Sequence, residues 1–569
     1  MKPSIAITPK AGPINRPLAA AGLFAIAAVG LCPDRPTDWH WYAGSAILAA
    51  ISAALVLRGA RAAVKDYRLR KAFAIATQVS DGHGSAREAT SSERSALAMD
   101  RPFGNLLGLD SKGRPVWAPA NAPFGLYEGP PGSGKTIAYV MGTILHHAAL
   151  GYSLVVSDPK GELAKMTVAQ LRKLGIEVWV FNPANQNLKD IGADSVGFYK
   201  ELIDAVHGDA EQRLAAVKLA HDYAHIHCPS ARDEKNPYFV QGSRRVLGVA
   251  ILSEALLNPA KACPTTVYSL ITDPNALMQR LIDLSEIEGL DAEDPIIEFL
   301  RVEARNLIAR SVENPENYSS FCEGASQQLV AFNPAGRLAH YGAGSSKSFS
   351  ALRERQVVVF LTTPLSHMTE LAPAISLMNH NVISAVKANP TGHPVHIVAE
   401  EALVYKFHEL TTNLETLRGL KVTADIFIQS FAGLEKAYGR EAAQAIESYA
   451  DVRVYTGINS GSRARYLSDL LSDVTLGKQD ASFRTEMSNV SVSTGEYGRP
   501  LRKVNEILGM DRGKAWVFVR GLPPMNLQMV TYAEVAPWRD WVSVNPMMGK
   551  KLEGQVKVTI DYAEVRRAA

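Results

Sequence analysis

The sequence predicts an α/β fold in which a P-loop nucleotide-binding domain with a mostly parallel sheet is interrupted by an all-α domain. An N-terminal two-helix transmembrane hairpin is expected ahead of it. Three observations carry that expectation. The stretch Gly129-Pro130-Pro131-Gly132-Ser133-Gly134-Lys135-Thr136 fits the phosphate-binding pattern G-x-x-x-x-G-K-[ST] at every fixed position. Short apolar runs bounded by turn residues alternate with helical patterns, as in a sheet covered on both faces. Two uncharged stretches lie within the first 71 residues.

The first of these, residues 17–32, is rich in Ala, Leu, Ile, Val and Gly. The second, 39–57, opens with an interfacial aromatic cluster of Trp39, Trp41 and Tyr42. A helix rises about 1.5 Å per residue and a bilayer core is roughly 30 Å thick, so about 20 residues cross it. The second run is adequate; the first is short and needs its flanks or local bilayer thinning. Only residues 33–38 separate them. Lys2, Lys10 and Arg16 precede the first run, and Arg58, Arg61, Lys65, Arg68, Arg70 and Lys71 follow the second. This bias places both ends in the cytoplasm and the turn outside. A cleaved signal peptide would show small residues at −1 and −3, and nothing fits well before Pro33. Leu31 is too bulky for a lipoprotein site at Cys32.

The 569 residues, 47% of them apolar, leave room for two or three domains beyond the membrane portion. A net charge of +3 means that nucleic-acid binding would come from local patches or assembly, not bulk charge. Cys32, Cys228, Cys263 and Cys322 form no C-x-x-C pair, which suits a reducing cytoplasm and argues against a disulfide scaffold or zinc ribbon.

Along the chain, residues 72–100 read as a connector with one or two short elements. A strand at 124–127 runs into the phosphate loop. The helix leaving it places Ile137, Val140, Met141, Ile144, Leu145 and Ala148 on one core-facing stripe. Strands follow at 154–157, ending in Asp158-Pro159-Lys160-Gly161-Glu162, and at 178–181. From 198 to 337 the strand signal disappears and helical patterns replace it, around 238–256, 277–284 and 296–307. Strands resume at 357–361, 395–399, 424–428, 452–456 and 515–519. The expected domains are 1–71 (hairpin and basic stem), 72–197 (nucleotide-binding domain, first part), 198–340 (all-α insertion) and 341–569 (nucleotide-binding domain, second part).

The loop pattern has a physical reason. Its glycines let backbone N–H groups turn inward around a polyphosphate, Lys135 reaches the β- and γ-phosphates, and the Thr136 hydroxyl can hold Mg²⁺. The following helix adds its positive N-terminus. Hydrolysis of a nucleoside triphosphate also needs an acidic residue at a strand tip for Mg²⁺ and a carboxylate to polarise water. Glu400 and Glu401, after the run ending at Ala399, are the candidates, Glu400 for the metal and Glu401 for water. Glu400 stands where aspartate is usual and is one methylene longer, which adjusts metal geometry or slows hydrolysis. Gln429, at the next strand tip, suits γ-phosphate sensing or orienting water. Arg418, within Thr416-Leu417-Arg418-Gly419-Leu420, suits neutralising transition-state charge in a neighbouring subunit's site.

With these motifs in place, the chain resembles the membrane-bound coupling ATPases of type IV secretion and bacterial conjugation. The resemblance rests on the hairpin, the phosphate loop, Ser157-Asp158-Pro159-Lys160-Gly161-Glu162, Asn182-Pro183 and the helical insertion. It extends through Glu400-Glu401, Arg418-Gly419, Gln429-Ser430, Tyr438-Gly439 and Gly498-Arg499-Pro500-Leu501. It implies a hexameric, RecA-like ATPase of the bacterial inner membrane, multi-pass, with ATP and Mg²⁺ bound on the cytoplasmic side. It further implies delivery of a relaxase bound to single-stranded DNA, or of effector proteins, to the secretion channel. Residues matching Arg418 and Gln429 have arginine-finger and γ-phosphate-sensing roles in that family. Two departures stand out: Glu400 replaces the usual aspartate, and the sequence runs only about thirty residues past Tyr532 and Trp538, so the long acidic or partner-binding tail of some members is not expected. On that expectation substrate choice would lie in the helical domain or in separate adaptors.

Other constellations carry less. His221, His225, His227 and Cys228 cluster as zinc would like, but no second cluster completes a site. No H-E-x-x-H occurs, against a membrane-bound zinc protease. Arg463 and Arg465 suit either a phosphate or subunit contact or a solvated helix start. Asp158 and Lys160 suit either nucleotide binding or pinning a turn. Two rival functions remain. A cell-division-type double-stranded DNA translocase would show more membrane spans and a winged-helix tail. A membrane docking adaptor would bind ATP without hydrolysing it.

Overall fold

The computed structural model of the chain describes residues 39–76, 82–184, 186–229, 236–287, 294–339, 341–402, 414, 416–482 and 491–568. They divide into one unit of Met1–Ala86 and Ser468–Lys503 and a second of Arg87–Leu467 and Val504–Ala569.

In chain order the strands are β1 (Leu106–Leu109), β2 (Pro115–Trp117), β3 (Phe124–Glu128), β4 (Ser153–Asp158) and β5 (Glu177–Phe181). Next come β6 (Val357–Thr362), β7 (Val395–Ala399), β8 (Val422–Ile428), β9 (Val452–Thr456), β10 (Asp473–Ser482) and β11 (Ser491–Pro500). β12 (Lys514–Val519) and β13 (Met525–Gln528) follow, and β14 (Val535–Ala536) pairs in parallel with β15 (Val558–Thr559) as a separate two-stranded sheet.

The first unit contains one long helix, Trp39–Ala76, whose stretch Tyr42–Val64 has mean hydropathy 1.7 and is long and apolar enough to cross a membrane. The other expected span, 17–32, and the turn after it lie outside the described residues. One apolar helix is therefore seen where two were expected. The same unit holds the antiparallel hairpin β10–β11, paired from Asp473↔Pro500 to Ser482↔Ser491 and not anticipated from the sequence.

The second unit is built on an 11-stranded sheet of order β2-β1-β13-β12-β9-β3-β8-β7-β4-β6-β5. The run from β9 to β5 is parallel throughout. Its inner strands β3, β4, β6 and β7 are buried at every residue, as strands covered on both faces must be. β12, β13, β1 and β2 continue the sheet antiparallel at the other edge. Sequence reading missed β1, β2 and β13. They are short, and Gly108 and Pro115 interrupt the apolar signal that marks the central strands.

Alternation along the strands feeds two cores. Leu126, Val155, Val359 and Ile397 point to one, which is continuous with the helical insertion. Tyr127, Val156, Phe360 and Val398 point to the other, around the helix that follows the phosphate loop. Between β5 and β6 the described elements are helical, the longest being Ala210–His227, Pro237–Leu257 and Pro295–Glu313. Proline opens the helices Pro237–Leu257, Pro264–Thr272, Pro274–Ser285, Pro295–Glu313 and Pro315–Gln328. There its missing N–H would have had no helical partner and its fixed φ favours the first turn. Asp273, Asp294 and Asn314 cap three of them by accepting backbone N–H groups.

The helix after the phosphate loop corrects one expectation. It opens with a π-turn at Thr136–Val140 and continues as Met141–Leu150, of which every residue but the last is buried. It has no single core-facing stripe, because the C-terminal segment covers its outer side. A Cβ on Gly142 would meet Trp538 Cζ3 at 2.9 Å, and His146 Nδ1 is hydrogen-bonded to the Tyr562 hydroxyl at 2.9 Å.

Candidate functional site

The phosphate loop leaves the carboxyl end of β3 and borders a cleft of about 310 Å³. Gly132 (φ 76°) and Gly134 (φ 86°) adopt left-handed backbone, which lets the loop wrap inward. At Gly129 the reason for glycine is space: a Cβ would lie 2.7 Å from both Thr456 O and Ser133 Oγ. Lys135 donates to Gly129 O and lies 3.4 Å from Pro130 O and Ser133 Oγ. Burial lowers its pKa to about 8, against the upward pull of Glu401, Glu400 and Glu128. Pro130, Pro131, Ser133 and Thr136 also line the cleft.

Glu400 and Glu401 follow β7, two strands from β3 in the sheet, with β8 between. The Thr136 hydroxyl donates to Glu400 Oε1 at 2.9 Å, joining the two residues expected at the metal. Glu400 is buried, and desolvation, with the nearby Asp158 and Glu162 carboxyls, raises its pKa to about 8. Asp158, at the end of β4, is pushed to about 7 by its own burial. One Asp158 oxygen accepts from Ala164 N at 2.8 Å while Oδ1 has no hydrogen-bond partner among the described residues. A hydroxyl beside buried, desolvated carboxyls, one with an unmade bond, fits a divalent cation, whose charge would reverse the upward shifts.

Glu401 sits at φ 53°, left-handed backbone that is strained for a residue with a side chain. Gln429, just past β8, donates to both Glu401 oxygens at 2.9 Å, and Lys160 Nζ lies 3.6 Å from Oε1. Ser430 caps the next helix by accepting from Gly433 N at 3.2 Å, and Tyr438 donates back to Ala402 O at 3.0 Å. The tips of β7 and β8 are thus tied to each other.

Arg418 is not in this cluster. It precedes β8, at the amino end of a strand whose carboxyl end carries Gln429, so the sheet separates it from its own phosphate loop. Its guanidinium pairs with Asp451, just before β9. Lys135, Thr136, Glu400, Glu401 and Gln429 are gathered; Arg418 stands on the opposite edge.

Of the remaining candidates, Asp158 pins the turn into helix Glu162–Lys173 and Lys160 reaches the cleft. Arg463 is no solvated helix start. It pairs with Glu128 and Glu447 at 2.6 Å and stacks on Phe431 and Tyr466, with ring centres 4.4 and 4.2 Å away. His227 Nε2 is hydrogen-bonded to the Tyr199 hydroxyl at 2.9 Å, and His221 meets the Phe299 ring edge-on. Sequence reading missed Asp451 and the Glu128–Arg463–Glu447 group. A buried acid at the end of an apolar strand, Glu128, was the available signal; nothing in spacing links Asp451 to Arg418.

A family model described as "Type IV secretory system Conjugative DNA transfer" matches residues 100–553. Protein VirD4 of Agrobacterium fabrum (strain C58 / ATCC 33970) is 22% identical over 421 residues, covering 72% of this chain and 58% of that protein. Conjugal transfer protein TraG of Rhizobium radiobacter is 25% identical over 415 residues, covering 69% and 60%. The chain spans 58% to 65% of the length of the VirD4 relatives it matches. Among solved structures, the bacterial conjugative coupling protein TrwBdeltaN70 superposes with TM-score 0.53 at 15% identity, over 79% of this chain and 95% of that one. Plasmid coupling protein TrwB in complex with ADP and Mg²⁺ superposes with TM-score 0.52 at 16% identity, over 78% and 94%. The fold is shared with both.

Proposed function

The chain belongs to the type IV secretory system conjugative DNA transfer family, and on that footing we propose that it is an ATP-hydrolysing coupling protein of the bacterial inner membrane. In this reading it recruits relaxase-bound single-stranded DNA, effector proteins or both, and delivers them to the secretion channel. It is anchored by two spans, of which Trp39–Ala76 supplies the second. It works as a homohexamer, its nucleotide-binding domain formed by 72–197 and 341–569 around the insertion 198–340.

The single observation that carries the reading is the convergence of Thr136–Glu400 and Gln429–Glu401 on the Lys135 loop. The backbone N–H groups of Gly132, Ser133, Gly134, Lys135 and Thr136 and the Lys135 ammonium bind the polyphosphate, Pro130 and Pro131 having no N–H to offer. Thr136 and Glu400 would hold Mg²⁺, which when bound would supply neutralisation of polyphosphate charge. Glu401 orients and deprotonates the attacking water, and Gln429 fixes the Glu401 carboxylate while sensing the γ-phosphate. Arg418, facing away from its own loop, serves a neighbouring subunit. The ADP and Mg²⁺ in the TrwB structure support the choice of ligands.

The test is ATP hydrolysis by the full chain with Mg²⁺, with and without single-stranded DNA. Wild type is expected to hydrolyse ATP at a DNA-dependent rate, and Lys135→Ala to lose activity while still inserting in the membrane. Nucleotide binding by wild type with no turnover under either condition would replace the motor with a docking adaptor.

A further inference from the structure

Asp451 is shared by two arginines. It lies between helix Arg440–Tyr449 and β9, with its N–H donated to Phe124 O at 2.9 Å and its side chain 5% exposed. Arg418 Nη2 and Arg520 Nε both approach Oδ1, the latter at 3.2 Å. Oδ2 has no hydrogen-bond partner among the described residues. Arg520 follows β12, which runs antiparallel to β9 and so ends beside Asp451. It also donates to Ser448 O at 3.2 Å and Tyr449 O at 3.3 Å, the carbonyl end of helix Arg440–Tyr449. No such backbone anchor holds the Arg418 side chain among the hydrogen bonds of the described residues. Both arginine side chains are about half exposed, 46% and 51%.

A buried carboxylate stripped of its only cation is strongly destabilised. An arginine that alone neutralised Asp451 would therefore be held there and could not turn towards a phosphate. The second guanidinium removes that penalty, and Oδ2, which has no partner among the described residues, is the unused acceptor that would complete a two-oxygen fork. We propose that Arg520 and Asp451 form a hand-over device for Arg418. Asp451 parks Arg418 in the isolated subunit, and Arg520 takes over the carboxylate when Arg418 turns to the neighbouring subunit's polyphosphate. Arg520 is thus a positioning residue that acts through Asp451. This inference rests on the reading of Arg418 as a group serving the adjacent site.

The test compares kcat, nucleotide affinity and ring assembly for the full chain, Arg418→Ala, Arg520→Gln and the double variant Arg520→Gln with Asp451→Asn. Arg520→Gln is expected to lower kcat on the order of tenfold to a hundredfold, the worth of a hydrogen bond to a charged group, with KM and assembly unchanged. The double variant should regain most of the lost kcat, because a neutral amide in place of the Asp451 carboxylate no longer retains Arg418. Arg520→Gln at the wild-type kcat overturns the proposal, as does a double variant as slow as Arg520→Gln or an Arg520→Gln chain that no longer binds nucleotide. Arg418→Ala at the wild-type kcat overturns instead the reading of Arg418 beneath it, so the two failures are distinct.

Discussion

Gln429 donates to both carboxylate oxygens of Glu401, at 2.9 Å each, and so holds a side chain whose own backbone is in the left-handed region at φ 53°. Such strain persists where surrounding contacts over-determine the conformation and an acidic side chain is needed in one place. Glu401→Gln keeps the shape and removes the carboxylate proposed to act on water. Nucleotide affinity should be retained while kcat falls on the order of 10²- to 10⁴-fold, the usual worth of general base catalysis. Gln429→Ala should lower kcat less, because Lys160 still reaches Glu401 at 3.6 Å. Single-turnover hydrolysis beside nucleotide binding checks both; equal turnover in Glu401→Gln would move the base elsewhere, with Glu400 first in line.

Glu400→Asp installs the aspartate expected at such a strand tip, yet it should slow the proposed hydrolysis. Glu400 Oε1 meets the Thr136 hydroxyl at 2.9 Å, and aspartate withdraws the carboxylate by about 1.5 Å, one carbon–carbon bond. The Mg²⁺ concentration needed for half-maximal hydrolysis should rise in the variant. A lower requirement, with faster turnover, would mean that the glutamate itself is the impairment.

Arg463 is structural and its loss should show in stability before activity. Its side chain is 12% exposed, between Glu128 at 4% and Glu447 at 9%. Arg463→Met leaves two buried carboxyls unpaired, at a cost of about 3 kcal/mol or more. Adding Glu128→Gln and Glu447→Gln should recover much of the loss, since no charge then stays buried. The midpoints of thermal unfolding of the three forms report this directly. A triple variant no more stable than Arg463→Met would locate the effect in lost ring stacking.

How far the sequence disclosed this arrangement follows from the range of each interaction. The central strands announced themselves because burial on both faces demands unbroken apolar runs, as in Val357-Val358-Val359-Phe360-Leu361. Edge strands such as Pro115–Trp117 are too short and too mixed to do so. The placement of the loop and of the Glu400-Glu401 pair at strand tips was legible because each is contiguous with the apolar run before it. The contact of Thr136 with Glu400, 264 positions apart, and the sharing of Asp451 by Arg418 and Arg520 depend on strand order, which no local pattern encodes.

The expected membrane orientation is testable without any hydrolysis assay. A periplasm-active reporter inserted near Thr37 should be active, and one placed after Lys71 inactive. The reverse pattern would put the phosphate loop where no ATP is available.

Arg418 offers the sharpest test of assembly. It stands at the amino ends of β8 and β9 while the phosphate loop leaves the carboxyl end of β3, parallel to both. A five-residue strand spans roughly 16 Å, too far for an arginine to cross to its own polyphosphate. Arg418→Ala should therefore bind nucleotide normally and hydrolyse it slowly, since residues of this kind contribute on the order of 10³-fold or more in rate. Mixing it with Glu401→Gln subunits should restore part of the activity, because some interfaces then pair an intact Glu401 with an intact Arg418. The recovery should peak at intermediate mixing ratios and vanish at either extreme. Co-assembled mixtures that stay inactive at every ratio would confine Arg418 to its own subunit or to support of the fold.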